Sequence, residues 1–546
     1  MRIELRPAPA DILAAFFSLA FAAACTAFAW QPRLASLADD SVSYLVMAQA
    51  FSPWQPASAP VAEAFAREAF YPPLYPMVLA LSGGAHDMAF AHAITALLLA
   101  ACLPALYVLG ERWLGSKWAA AGAVAVTASL PSLWIHVKGM LSEPLFCLLL
   151  ISTMCILETG QGGRTRPWTI AALMAAMVLT RTVGLVVVAA YALWALSRRG
   201  QPLSQRIHAL LPAFFAALAY AAWVLMRPAD TADDYMRIVF ERGQAILAAG
   251  NPWAALASSI TRQANSLGEA WVGALLLFWV EGRPLRVVLA GAVGALAVAG
   301  LVMRLAAGKP DAWMMTAYLA TFLVWPFYDQ MTRFLFPALP VLVLYAFWAG
   351  NAALQVLGRP PALAHGLLVL LLLSLAAPAM GFIHQRAKAG GRHVEMTEWY
   401  RTPDVDNARA RAQIHLDLME DMEAIRRLTE PQDRIMWVVP SYIALLADRR
   451  GVSAPAAGLL PSDYRRAVHD ANPDYLYLST YHPRDTVRET AWRTGMEAMA
   501  GHAEIIHARK PGEGSAIGSA LLKIRGAGAK GLLKVRASAG HDHGAH

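Results

Sequence analysis

Two adjacent carboxylates, Asp39 and Asp40, stand in "LASLADDSVSYLVMAQAF", just after the first long apolar run of the chain ends. One aspartate at a helix N-terminus is ordinary: it accepts from free N–H groups and is worth ~1 kcal/mol. Two in succession repel each other and face a membrane surface that is usually anionic, so capping explains only one of them. The chemistry such a pair suits is proton abstraction from a hydroxyl, or the binding of a hard cation.

Four further stretches carry residues of the same kind. "WIHVKGMLSEPLF" (134–146) places His136, Lys138 and Glu143 in a short turn, with Glu143 opening the next apolar run. "VLTRTVGL" puts Arg181 inside an apolar stretch. An arginine in hydrocarbon costs at least ~2.5–3.5 kcal/mol, so it should face a cavity, an anionic ligand or a partner such as Glu143. "FYDQMTRFLFPALP" (327–340) brings Tyr328, Asp329 and Arg333 ahead of a late apolar run. "YPPLYPMVLAL" (71–81) has three prolines, each fixing φ and removing a donor, and holds Tyr75. Capping, structural pairing or interfacial proline explains any one of these alone. What they share is a side.

That side follows from the elements that must position them. Of 546 residues 57% are hydrophobic and only 15% charged, and the mean hydropathy is +0.42. A soluble domain has roughly 45–50% apolar and about 25% charged residues. The apolar residues come in blocks near the ~20 needed to cross ~30 Å of hydrocarbon. The pattern predicts eleven spans, at 11–30, 88–110, 118–135, 142–158, 168–181, 183–197, 209–226, 285–303, 312–327, 334–350 and 362–382. The first reads as an uncleaved helix rather than a signal peptide, since no small-x-small site leads from it into a soluble domain. With eleven spans, Arg2, Arg6, Arg112, Lys117, Arg164, Arg166, Arg198, Arg199, Arg206, Arg304, Lys309 and Arg359 fall on one side, which is therefore cytoplasmic. The other side receives 31–87, 136–141, 227–284, 328–333 and everything after 382. The apolar segment "WVGALLLFW" (271–279) then lies along the outer interface instead of crossing.

The net charge of +8 belongs to these loops, which excludes nucleic acid as the partner to expect. All four cysteines fall inside apolar blocks and form neither a disulfide framework nor a metal motif. After residue 382 charge rises and the long apolar runs stop. An amphipathic helix over 407–428 and short buried strands at "RIMWVV", "PDYLYLS" and "SALLKI" predict a small α/β domain over 383–530. Residues 531–546 read as a disordered His-containing tail.

In order and spacing these motifs resemble the membrane glycosyltransferases of GT-C fold. Asp40 is followed at helical spacing by Tyr44 and Ala48, then by PPLYP, the "SEPLF" glutamate, the "LTRTVGL" arginine and "RFLFPALP". The resemblance spans residues 1–350. It points to the bacterial branch related to protein O-mannosyltransferases, lipid A aminoarabinose transferases and lipopolysaccharide galacturonic acid transferases. The aminoarabinose branch has Glu directly after the aspartate, where this chain has Ser41.

The resemblance implies a polytopic α-helical membrane protein of about eleven transmembrane helices, 1–382, with an extracytoplasmic α/β domain. It implies a polyprenyl-phosphate-linked sugar as donor. The acceptor would be lipopolysaccharide, a glycolipid, a polysaccharide or a protein, and the bacterial inner membrane the location, with the site facing the periplasm. Asp40 would be the base, with Asp39 tuning its charge or holding acceptor or a divalent metal ion. Arg181, Arg333, Lys138 and His136 would meet the donor phosphate. Glu143, Tyr44, Tyr75, Tyr328 and Asp329 would contact substrate. A transporter or flippase for a lipid-linked or anionic substrate is the alternative. It would place ionisable groups at mid-membrane and show an inverted repeat, and neither is seen.

Overall fold

The computed structural model describes residues 7–36, 39–158, 166–198, 200–228, 234–278, 282–455, 459–481, 489–509 and 518–525. The expected tail 531–546 lies outside them. The chain opens with α1 (Pro9–Ala29), three short helices α2 (Asp39–Phe51), α3 (Ala59–Glu68) and α4 (Leu74–Leu81), and the long α5 (Met88–Leu114). There follow α6 (Lys117–Ala128), α7 (Pro131–Val137), α8 (Glu143–Glu158), α9 (Arg166–Thr180), α10 (Gly184–Ser197), α11 (Leu203–Ala209) and α12 (Leu211–Met226). Then come α13 (Asp234–Leu247), α14 (Pro252–Leu276), α15 (Pro284–Ala306), α16 (Pro310–Val324), α17 (Met331–Leu335), α18 (Leu339–Val356) and α19 (Pro361–Ala389).

Every one of the eleven expected spans is helical. Six segments are long and apolar enough to cross a membrane: Pro9–Ala29, Met88–Leu114, Leu203–Met226, Pro284–Ala306, Met331–Val356 and Pro361–Ala389. The pair α6 and α7 makes a seventh, bent by 54° where Pro131 cannot continue the helix before it. The other four, α8, α9, α10 and α16, are 14–16 residues long, shorter than a full crossing. Small residues let helices meet backbone to backbone. A Cβ added to Gly300 of α15 would lie 2.2 Å from the Tyr345 carbonyl oxygen of α18.

The segment expected along the outer interface is packed on one side. Residues 271–276 do not lie on the surface of the bundle. They are the last turns of α14, where Trp271, Leu275 and Leu276 are buried. Trp271 Nε1 donates to the Ala290 carbonyl at 2.8 Å, and its ring fills the space left by the missing side chain of Gly294. Packing on α15 therefore holds a segment that hydropathy alone assigns to an interface.

The bundle has two chemically different ends. At one, Lys117 meets Asp11 at 2.9 Å, Arg112 donates to the Cys155 carbonyl, Arg166 donates to the Leu157 carbonyl, and Arg304 meets Glu158 and Asp311. The four basic residues of this set are among those expected together on one side. At the other end lie α2, α3, α4 and the C-terminal elements.

There, α19 runs on to Ala389, and α20 (Val405–Leu428) leads into a five-stranded sheet. Its strands are β1 (Arg434–Trp437), β2 (Arg450–Ser453), β3 (Tyr475–Ser479), β4 (Ala503–Arg509) and β5 (Ser519–Ile524), in the order β2-β1-β3-β5-β4. β1 pairs parallel with β2 and β3, and β5 pairs antiparallel with β3 and β4. The short α21 (Pro440–Tyr442) follows β1, α22 (Pro461–Ala471) precedes β3, and α23 (Glu489–Met499) precedes β4. Side chains alternate across a strand. Ile435, Trp437, Tyr475 and Tyr477 face α20, whereas Met436, Leu476 and Leu478 pack with Tyr464 of α22 and Met499 of α23. The α20 face continues without a break into α2, α3 and α4, so the sheet and the helix that begins at Asp39 share one apolar core.

Candidate active site

Four segments far apart in sequence converge at this end. Asp40 lies in the first turn of α2, Glu143 opens α8, Arg181 sits in the break between α9 and α10, and Arg333 is on α17. The α9–α10 break is tight. The Gly184 N–H donates to the Arg181 carbonyl at 2.9 Å, and a Cβ on Gly184 would lie 2.9 Å from the Met177 carbonyl oxygen, so only glycine lets α10 fold back so closely on the last turn of α9. The break leaves the Arg181 side chain facing the start of α8.

The four side chains form one ionic network. Arg333 donates from Nη2 to Asp40 Oδ2 at 2.5 Å and from Nε to Glu143 Oε1 at 2.5 Å. Arg181 Nη1 meets the same Glu143 oxygen at 2.7 Å and donates to Ser142 Oγ at 3.1 Å. Tyr71 donates to Asp40 Oδ1 at 2.6 Å. Tyr44, one turn after Asp40, is bonded to Ser142 Oγ at 2.9 Å. Two carboxylates and two guanidiniums balance in charge, as buried ions must. The network is graded in depth: the Glu143 side chain is 2% exposed, that of Asp40 14%, and those of both arginines 16%. Glu143 Oε2 is buried and takes no hydrogen bond among the described residues. Burial, reinforced by the nearby Asp40 charge, pushes the Tyr44 phenol well up, so it stays a neutral hydrogen-bonding group.

The remaining expected residues are placed differently. Tyr75 is fully buried, bonded to Thr95 Oγ1 at 2.6 Å and packed edge-on against Tyr44, so it supports α2. His136 Nδ1 is bonded to the Ser132 carbonyl at 2.8 Å, and its ring lies 5.8 Å from that of Phe336. Lys138 does not join the arginines. Its ammonium donates to the Phe28 carbonyl at 3.0 Å, over the Phe28 ring at 4.5 Å and the Tyr400 ring at 5.7 Å, and the residue is 2% exposed. Burial pushes it down to about 7, opposed in part by Glu395. Tyr328 is half exposed, on the turn leading into α17. Asp39 and Asp329 lie in described helical turns, but their side chains are outside the described structure. Among the described residues no three His, Cys, Asp or Glu side chains group as metal ligands.

Sequence reasoning passed over Tyr71 and Ser142. Both stand inside quoted motifs, Tyr71 beside the prolines and Ser142 beside Glu143. A hydroxyl beside a charged or rigid residue was the signal.

Among solved structures, the chain is similar to ArnT from Cupriavidus metallidurans bound to undecaprenyl phosphate, at 12% identity, over 93% of this chain and 97% of that one, with a TM-score of 0.53. The apo state of the same protein matches over the same shares at 12% identity, with a TM-score of 0.51. The chain has the GT-C fold. The archaeal oligosaccharyltransferase AglB from Archaeoglobus fulgidus, in complex with an inhibitory peptide and a dolichol-phosphate, gives 11% identity over 91% of this chain and 73% of that one, with a TM-score of 0.47. No protein-family model and no curated protein matches the sequence. The GT-C assignment thus rests on architecture carried almost end to end. Within that fold, Asp40, Arg333, Glu143 and Arg181 form the ionic network described above.

Proposed function

We propose that the protein transfers a sugar from a polyprenyl-phosphate-linked donor to a hydroxyl acceptor, with the site facing the periplasm of a bacterial inner membrane. The observation that carries this reading is the half-open network, in which a carboxylate and two guanidiniums reach the surface at one end of the bundle. An acceptor hydroxyl is a poor nucleophile and needs a base within ~2.6–3.2 Å. Asp40 takes that proton. The hydroxyl oxygen then bonds to the anomeric carbon from the face opposite the phosphate. The bond from that carbon to the phosphate oxygen breaks, its electron pair leaving with the phosphate, and the configuration inverts.

Polyprenyl phosphate is a weak base and leaves without a general acid, unlike the leaving group of glycoside hydrolysis. It does need cations. Among the described residues, Arg181 and Arg333 each retain N–H groups without a protein partner, and guanidinium matches phosphate bidentately. Glu143 holds both arginines from below, so their approach is set before the donor arrives. The solved fold neighbour binds undecaprenyl phosphate, which supports a lipid-phosphate donor. Residues 1–382 would form the catalytic membrane half and 383–530 the periplasmic domain. A divalent ion at Asp39 and Asp40 stays part of the proposal to be tested by chelation.

The test uses purified protein, a panel of polyprenyl-phosphate sugars and membrane glycolipid extract as acceptor. Release of polyprenyl phosphate from one donor, abolished in Asp40→Asn, is the expected result. No release from any donor by a folded sample would overturn the reading.

A further inference from the structure

The C-terminal domain touches the network's own helix. Glu68, the last residue of α3, bridges the two: Ser43 of α2 donates to its Oε2 at 2.5 Å, and Ser441 of α21 donates to its Oε1. Both serines are buried, at 3% and 2% exposure. Ser43 lies one turn from Asp40, where residues three apart are neighbours on a helix surface. The α2 helix is thereby held from two sides, by Arg333, Tyr71 and Ser142 on the bundle side and by Glu68 on the domain side.

A second observation seats the far anchor against the sheet. Ser441 follows Pro440, and Pro440 lies against β2 so closely that a Cβ on Gly451 would fall 2.2 Å from the Pro440 carbonyl oxygen. The anchor therefore packs directly on β2. A weaker surface pair, Arg450 with Glu63 at 3.2 Å, ties the same strand to α3.

We propose that the C-terminal domain positions the Asp40 helix, and that Glu68 is the positioning residue through which it acts. This rests on the proposed role of Asp40. A carboxylate base works only within hydrogen-bond reach of its hydroxyl, and a misplacement of ~1 Å can cost about a hundredfold. One pin between sheet and helix is a short path by which a domain outside the network sets that distance. The lipid-phosphate contacts proposed for Arg181 and Arg333, which stand on other elements, do not involve Glu68.

The test compares Ser441→Ala, Glu68→Ala and Glu68→Gln in the full-length protein in lipid nanodiscs. Three readouts are taken: release of polyprenyl phosphate from the panel, affinity for undecaprenyl phosphate, and the thermal unfolding midpoint. Ser441→Ala is the gentlest cut, because Glu68 and Ser43 keep each other. The expected result is a loss of release of roughly tenfold or more in Ser441→Ala and Glu68→Ala. Undecaprenyl phosphate affinity and the midpoint stay unchanged in Ser441→Ala, and Glu68→Gln, which still reaches both serines, recovers much of the loss. Release within twofold of the parent in both alanine variants overturns the proposal. So does a loss of release matched by an equal loss of affinity or by a lower midpoint in Ser441→Ala. If the parent releases nothing, the functional reading falls first. Amide exchange over 39–51 then decides the brace: faster exchange in Ser441→Ala sustains it, and unchanged exchange removes it.

Discussion

Replacing Arg333 by lysine keeps the charge of the network and removes its geometry. Arg333 directs two different N–H groups to two different carboxylates, Nε to Glu143 and Nη2 to Asp40, both at 2.5 Å. A lysine ammonium is a compact point charge on a flexible stem and reaches one of them at a time. A hydrogen bond to a charged group is worth about 1.5–3 kcal/mol. The loss falls short of the ~3–5 kcal/mol of deleting a buried charge partner, because the charge count is unchanged. Asp40 also keeps Tyr71, and Glu143 keeps Arg181. Arg333→Lys should therefore fold, and should lower polyprenyl phosphate release by roughly ten- to hundredfold, at about 1.4 kcal/mol per factor of ten. The assay measures release and undecaprenyl phosphate affinity on the same preparation, with thermal unfolding alongside. Release within twofold of the parent from Arg333→Lys would refute the reasoning, since charge alone would then suffice where the structure shows a fork.

Three other perturbations address the frame around that network. Asp421 of α20 is completely buried and accepts from Tyr477, Ser519, His507 and Arg509, so Asp421→Ala should destabilise the C-terminal domain by about 3–5 kcal/mol, seen as a lower unfolding midpoint and faster exchange in β3 and β5. Lys138 is pushed by burial from 10.5 down to about 7. Between those values the unfolded chain binds more protons than the folded one, so stability rises with pH across that window; Lys138→Met should flatten the slope of midpoint against pH, and an unaltered slope would contradict the burial argument. Gly300→Ala should lower the unfolding midpoint through about 1–3 kcal/mol of overpacking against the Tyr345 carbonyl, while Gly291→Ala on the same helix, which meets open space, should not lower it.

The membrane half was legible because spans are written in composition. A run of ~20 apolar residues is long enough to cross hydrocarbon and longer than a soluble core usually needs, and charges that interrupt such runs mark special sites. Arg181 shows this at its clearest: the charge marked both the break between α9 and α10 and the pairing with Glu143. Lys138 shows the limit. Sequence placed it in the same turn as His136 and Glu143, but a turn of a few residues can aim side chains in opposite directions, and Lys138 turns back onto α1. The C-terminal sheet divides in the same way. Its three inner strands are apolar and were legible. β2 and β4 are the two edges of the order β2-β1-β3-β5-β4, short or half-exposed and mixed in polarity, so no pattern announced them. Glu68 was invisible because its meaning lies in Ser441, a contact across 373 positions.

The opposite end of the bundle gives a control within the same molecule. There Arg304 bonds both oxygens of Asp311 at 2.8 and 2.7 Å, reaches Glu158 at 2.6 Å, and stacks with its guanidinium carbon 3.8 Å from the centre of the Trp113 ring. Tyr345 donates to the same aspartate at 2.8 Å. The residue types are those of the Asp40 network, an arginine between two carboxylates with a tyrosine in support. The difference is capacity. Arg304 is 4% exposed, with one face covered by tryptophan, so an incoming anion would have to break existing bonds to reach it. The Arg333 and Arg181 side chains are each 16% exposed and bond a glutamate whose second oxygen has no partner among the described residues. A satisfied ion network in a membrane bundle is a fastener, since its members gain nothing from a ligand. An unsatisfied and partly open one, held in place by deeper partners, is what a charged substrate requires. Ion pairing occurs at both ends of this bundle, and the capacity left over at one of them is the reason to place the chemistry there.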